Sequence, residues 1–323
     1  MRLRAARALL DGALIGPVLV DVDGGRITAV VTDPDAVAGA VPDIDLDDGV
    51  LTPGLLDLQI NGSFGADFAD ADPQEWARAL DGLASHGVTG IEPTIITAPL
   101  AQLHGAFDRI LAAQRTNAGD VVTRILGAHL EGPFISPARK GAHRADWMLE
   151  PSAENLDALL ANPATREILL TLTLAPELPH ALEAIRRLVS DGVIVSVGHS
   201  DATAAQVRAA ADAGATMTTH LFHAQRPLGH RELGVVGGVL ADERSFLGTI
   251  LDGQHVEPSV VGIVFAAAGG RTVGVTDAIV TAGLPADVWH TFGGDAVAND
   301  EVGLGRRRDG TIAGAGIVLD EGV

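Results

Sequence analysis

The chain has 323 residues, 47% of them hydrophobic, enough apolar mass for one large core and a smaller unit. Its formal net charge of −20 argues against nucleic acid or an anionic membrane as partner. It has no cysteine, which excludes disulfides and thiolate metal sites, and a reducing cytoplasm is the expected compartment.

The opening, MRLRAARALLDGALIG, carries three early arginines, a short apolar patch and Asp11, and reads as part of the fold, not as a signal peptide. No run approaches the roughly 18 apolar residues of a membrane helix. Residues 17–31, PVLVDVDGGRITAVV, predict a hairpin turning at Asp23-Gly24-Gly25, where glycine supplies the positive φ. The first 50 residues are expected to be β-only.

From residue 51 apolar β-rich runs alternate with Ala/Leu-rich helical stretches. The predicted strands are 55–61, 88–96, 124–131, 168–175, 193–199, 215–222, 246–253 and 272–278. Helical stretches such as 73–87 and 202–214 end at Gly, as helix C-termini often do. The rhythm predicts an α/β fold of the TIM-like (β/α)8 type over residues 51–323, beside a small β unit over 1–50.

Chemistry in such a barrel sits where strands end. Gln59 and Asn61 close the first predicted strand, Glu131 the third, His199 the fifth, His220 the sixth and Asp277 the eighth, with His255 just past the seventh. Polar residues at the same end of six strands point to one shared site. Two imidazoles and a carboxylate from Glu131, His199 and His220 suit one divalent cation with a position left open. Zinc is the expected ion, and iron or another first-row metal also fits. Asp277, in VTDAIV, suits a proton acceptor facing a metal-held water, although an Asp there is also a good helix N-cap.

PGLLDLQING (53–62), HLEGPF (129–134), GAH (141–143), GHSDAT (198–203), THLFHA (219–224), HRELG (230–234), DGQHVE (252–257) and VTDA (275–278) occur in order. Together they resemble the motif set of the N-acetylglucosamine-6-phosphate deacetylase family, in the amidohydrolase superfamily. The resemblance implies one catalytic metal on Glu131, His199 and His220, because Gln59-Ile60-Asn61 stands where many amidohydrolases carry His-x-His. It implies Asp277 as general acid/base and His143 as the group polarising the acetamide carbonyl. Arg231 and His255 would bind the phosphate, with help from His223 and Ala224. Gln59 and Asn61 fall among the expected substrate contacts. A local cationic site is what an acidic chain needs to hold a sugar phosphate. Arg139-Lys140 is a weaker candidate, read as a solvated loop.

The chain departs from the family pattern in three places. His223-Ala224 replaces Asn-Ala, and Gly310-Thr311-Ile312-Ala313-Gly314-Ala315 replaces a Ser-containing run. The family also continues beyond Val323, so the barrel is expected to be truncated after strand eight, with apolar surface exposed and a small β-sandwich left incomplete. A complete chain would be expected to form a homodimer. The alternatives are an amidohydrolase for another N-acyl amino-sugar phosphate, marked by His223, and a truncated, non-catalytic remnant.

Overall fold

The computed structural model describes residues 1–117, 119 and 122–322. It separates into two compact units, Met1–Gly54 and Leu55–Val323.

In the first unit the predicted hairpin forms, with Val18–Asp23 antiparallel to Arg26–Val31. Gly24 and Gly25 both take positive φ at its turn. Arg2–Ala5 and Ile44–Asp45 extend this sheet, and Arg7–Leu10 pairs with Ala13–Ile15 and Val50–Leu51 in a second one. Ala5, Ala8 and Val18 form a small apolar cluster. The unit is not β-only. Pro34–Gly39 is a short helix, started by Pro34 at its first turn and by Asp33, whose carboxylate accepts from the Ala36 amide at 2.9 Å. Its brevity hides any helical period in the sequence.

The second unit is built on eight parallel strands in sequential order: Leu55–Ile60, Val88–Ile96, Ala128–Glu131, Leu169–Leu174, Ile194–Val197, Met217–Thr218, Phe246–Ile250 and Thr272–Val275. Strand eight returns to strand one through an Ile60–Ala278 bridge, the Asp277 amide to the Gln59 carbonyl at 2.8 Å, and the Asn61 amide to the Ala278 carbonyl at 2.7 Å. The sheet therefore closes into the barrel that the sequence predicts. Strand six is shorter than expected, because the chain leaves the ladder after Thr218 and turns into the site.

Helices between strands follow from local chemistry. Pro73–Ser85 begins at a reciprocal cap: Asp72 accepts from the Gln74 and Glu75 amides, and Glu75 accepts from the Asp72 amide. Such a cap is worth about 1 kcal/mol. The helix buries Trp76, Ala79, Leu80 and Leu83 at helical spacing, and Trp76 stacks on Phe68 with ring centroids 4.5 Å apart. Ile263 and Phe265, on helix Pro258–Ala268, stay exposed.

One element was not predicted. After strand eight, His290–Phe292, Asp295–Asn299, Leu304–Arg307 and Ile312–Ala315 form an antiparallel sheet, joined to the barrel by an Ala278–Ala315 bridge. Phe292 and Val297 pack with Ile279 and Val280 in its own apolar cluster. Its strands are only three to five residues long, so the sequence shows little alternation there.

Candidate metal centre and active site

Glu131 Oε1 lies 2.7 Å from Nε2 of both His199 and His220, and those two nitrogens are 3.1 Å apart. All three residues are buried, and their ligating atoms lie close enough to share one ion. Nδ1 of His199 donates to the Arg139 carbonyl at 2.9 Å, which leaves the Nε2 lone pair facing the other two ligands. Burial works to raise the Glu131 carboxyl, but His220 and His199 outweigh it and hold the group well below the usual carboxylate range. Burial likewise works to lower His220, and Glu131 overrides it, pushing the imidazolium up to about 9. The donor set fits a divalent cation: two imidazole nitrogens and one carboxylate oxygen, converging from three buried side chains.

Gly132 follows Glu131 for a steric reason. Its φ is +89°, and a Cβ there would sit 2.1 Å from the Thr97 hydroxyl. The Thr97 hydroxyl lies 3.1 Å from the Glu131 carbonyl and 2.9 Å from Nδ1 of His143. The Thr97 amide donates to the same Nδ1 at 3.3 Å. Nδ1 is therefore the acceptor, and the His143 ring carries its proton on Nε2, which lies 3.9 Å from Glu131 Oε1. Burial, then the charge of His199, pushes His143 down to about 3, so it stays a neutral donor.

Asp277 lines the same cleft. No helix begins after it; residues 280–283 run as turns, which removes the N-cap reading. Its Oδ1 accepts from Asn61 at 2.9 Å and from Gln59 at 3.1 Å. Burial, then the charge of Glu131, pushes its carboxyl up to about 6. Gln59 does not line the cleft; it reaches the site through Asp277, and Asn61 does both. His199, His220 and Asp277 have φ of 45°, 29° and 52°, and Phe222 and Ala224 are also left-handed. Such strain concentrates where side chains must be aimed.

The other end of the cleft is lined by His223, Ala224 and His255. His255 Nδ1 bonds Asp252 at 2.6 Å, and the His255 and His223 ring centroids are 5.0 Å apart. Burial, then His220 and His255, push His223 down to about 3, so it is a neutral hydrogen-bonding group and not a cation. Its buried Nε2 has no hydrogen-bond partner among the described residues. Arg231 is exposed and outside the cleft lining. Arg139 is engaged by Asp201, which also binds Arg226, and Lys140 is largely exposed, in keeping with a solvated loop.

The unpredicted sheet supplies one wall of the cleft: Ala313 and Gly314, from the run that departs from the family pattern, and Phe292 and Arg307, which sequence reasoning missed. Arg307 is the one Arg or Lys among the described lining residues. Its Nη2 donates to the Ala142 carbonyl at 3.1 Å and pairs with Asp295 at 2.9 Å. The signal was present as three consecutive arginines, 306–308, in an acidic chain.

No family model matches the chain. An N-acetylgalactosamine-6-phosphate deacetylase of Escherichia coli is 37% identical over 99% of this chain and 82% of its own length. An N-acetylglucosamine-6-phosphate deacetylase of Vibrio furnissii is 36% identical over 99% of this chain and 78% of its own. The chain belongs to the N-acetylglucosamine-6-phosphate deacetylase family. The likeness extends to the fold of this deacetylase family. An N-acetyl-D-glucosamine-6-phosphate deacetylase variant of Mycobacterium smegmatis, solved with N-acetyl-D-glucosamine 6-phosphate, superposes with a TM-score of 0.91 at 31% identity, over 99% of this chain and 81% of that one.

Proposed function

We propose that the chain hydrolyses the acetamide of N-acetylglucosamine 6-phosphate, giving glucosamine 6-phosphate and acetate, with one divalent ion held by Glu131, His199 and His220. The convergence of these three side chains within 3.1 Å, in a cleft shared with Asp277, carries this reading. The ion when bound lowers the pKa of water to about 7 and polarises a carbonyl. Zinc is the expected ion on donor chemistry, and iron suits the same set.

An amide resists hydrolysis because its carbonyl is a poor electrophile and its amine a poor leaving group. Asp277 takes the proton of the attacking water and returns it to the departing amine. A carboxyl raised to about 6 is suited to both directions near neutral pH. Asn61 and Gln59 aim its oxygen. The Nε2–H of His143 donates to the acetamide oxygen as charge builds there. His255, held by Asp252, and the unpartnered Nε2 of His223 receive the phosphate end beside Ala224. Arg231 serves a neighbouring subunit's cleft in a homodimer, in keeping with its exposure and its place outside this cleft. Among the described residues no helix is long and apolar enough to cross a membrane. The expected substrate is a sugar phosphate, and the expected compartment is the cytoplasm.

A second reading rests on one relative. The Escherichia coli protein carries the name of the galactosamine epimer's deacetylase, and His223 alters the recognition end. The test is metal analysis of the purified chain, with acetate release from both 6-phosphates. Stoichiometric metal and turnover of the glucosamine epimer are expected. Preference for the other epimer favours the second reading, and a metal-loaded chain that releases acetate from neither overturns both.

A further inference from the structure

Beneath the cleft, Asp57 is almost wholly buried in strand one, at the seam where strand eight closes the barrel. Its Oδ2 accepts from the Thr276 hydroxyl at 2.6 Å. Its Oδ1 accepts from the Thr276 amide at 3.2 Å and from the Gln59 amide at 3.3 Å. The Thr276 hydroxyl in turn accepts from the Ala278 amide at 3.0 Å. The two neighbours of Asp277 in sequence are thus tied, directly or through one hydroxyl, to a single carboxylate. That carboxylate also grips Gln59, whose side chain donates to Asp277 and whose carbonyl receives the Asp277 amide.

A buried carboxylate is a costly way to join two strands that already share backbone bonds. Burial pushes its carboxyl up to about 7, so the position is not optimised for stability alone. What it holds is the left-handed residue at Asp277, with φ of +52°. Left to itself that backbone relaxes toward ordinary angles and swings the side chain away from Asn61 and Gln59.

We propose that Asp57, through Thr276 and Gln59, is a positioning residue that fixes the Asp277 carboxylate in its working orientation. The effect on turnover rests on Asp277 being the proton-transfer group; the effect on its orientation does not.

Two variants test this. Thr276→Val keeps the shape and both backbone bonds of Asp57 but removes the hydroxyl that joins Asp57 to Ala278. Asp57→Asn keeps an acceptor for the two amides and turns Oδ2 into a donor, which reverses the hydroxyl's direction. In metal-loaded protein both should lower kcat about 10- to 100-fold, the cost of misplacing a reacting group by about 1 Å, with KM within about threefold of the parent. Metal content should be unchanged, since the hydrogen bonds of Asp57, Thr276 and Gln59 go to one another, to Ala278 and to Asp277, and none goes to Glu131, His199 or His220. A crystal structure of Thr276→Val should show the Asp277 carboxylate displaced from Asn61. Unchanged kcat in a folded, metal-loaded variant overturns the proposal, as does an Asp277 that has not moved, and so does a kcat loss that only tracks lost metal or lost folded protein. If the parent releases no acetate, the functional reading fails by itself, and the crystal structure alone decides whether Asp57 positions Asp277.

Discussion

The two ends of the cleft are built in different ways. The metal end is buried, its three ligating atoms lie within 3.1 Å of one another, and every group comes from a strand end of one chain. The other end, proposed to receive the phosphate, is more open and comes from loops: a neutral His223 and His255 leaning on Asp252, with Arg231 exposed and outside the lining. Bond-breaking needs fixed distances, which a barrel supplies at its rim. Holding a dianion needs charge, and charge tolerates distance. A chain can therefore delegate recognition to loops, and to a second copy, without losing the chemistry.

That contrast can be broken at either end. Asp277→Asn should keep the metal and lose about 10²–10⁴ in kcat, because an amide cannot accept the water's proton. Near-parent turnover of the loaded variant, in a steady-state assay, removes Asp277 from the mechanism. Glu131→Gln should act on the metal itself. Its affinity, measured by chelator competition, should fall by more than the roughly 10–100-fold typical of outer supporting residues. A smaller loss would mean that Glu131 is not a ligand.

The recognition end should respond more mildly and more selectively. Arg231→Ala should raise KM about 10- to 150-fold for the phosphorylated sugar, the worth of one charge-assisted contact of roughly 1.5–3 kcal/mol. The unphosphorylated sugar should be little affected. Equal losses for both would place Arg231 in the fold or the subunit contact.

The smallest effect concerns the wall beneath both ends. Glu92 is buried in strand two, its Oε1 has no hydrogen-bond partner among the described residues, and burial pushes its carboxyl up to about 7. The unfolded chain ionises this group near 4.5, so the folded state holds the extra proton between about 4.5 and 7. Stability therefore falls as pH rises through that window and is level above it. Glu92→Gln should leave thermal stability alone near pH 4 and raise it near pH 8 by at most about 3 kcal/mol, read as several degrees in Tm. A variant that gains equally at both pH values would show that Glu92 is not neutral in the fold.

Much of this was legible in the sequence, for identifiable reasons. The barrel announced itself because parallel strands covered on both faces read as apolar runs, and because glycines close helical stretches such as 73–87 and 202–214 between them. Glu131, His199, His220 and Asp277 stood out because each is a polar break at the end of such a run. The late sheet was hidden by its short strands of three to five residues, and Arg307 was hidden with it. The support of Asp277 was hidden for a different reason. Asp57 and Thr276 are 219 residues apart, and hydrogen bonds across a closing seam leave no period in the sequence. His223 was visible as a departure, but its neutrality was not, since that depends on burial beside two other histidines.

The left-handed backbone at His199, His220 and Asp277 bears on how this protein changes under selection. Glycine relieves an unfavourable φ of this kind, by about 1 kcal/mol or more at each place. Aspartate and glycine codons differ by a single base. A library screened only for heat resistance would thus be enriched in Asp277→Gly, which lacks the carboxylate that the proposed mechanism uses to move the proton. Any attempt to toughen this chain should select for turnover and thermal survival together.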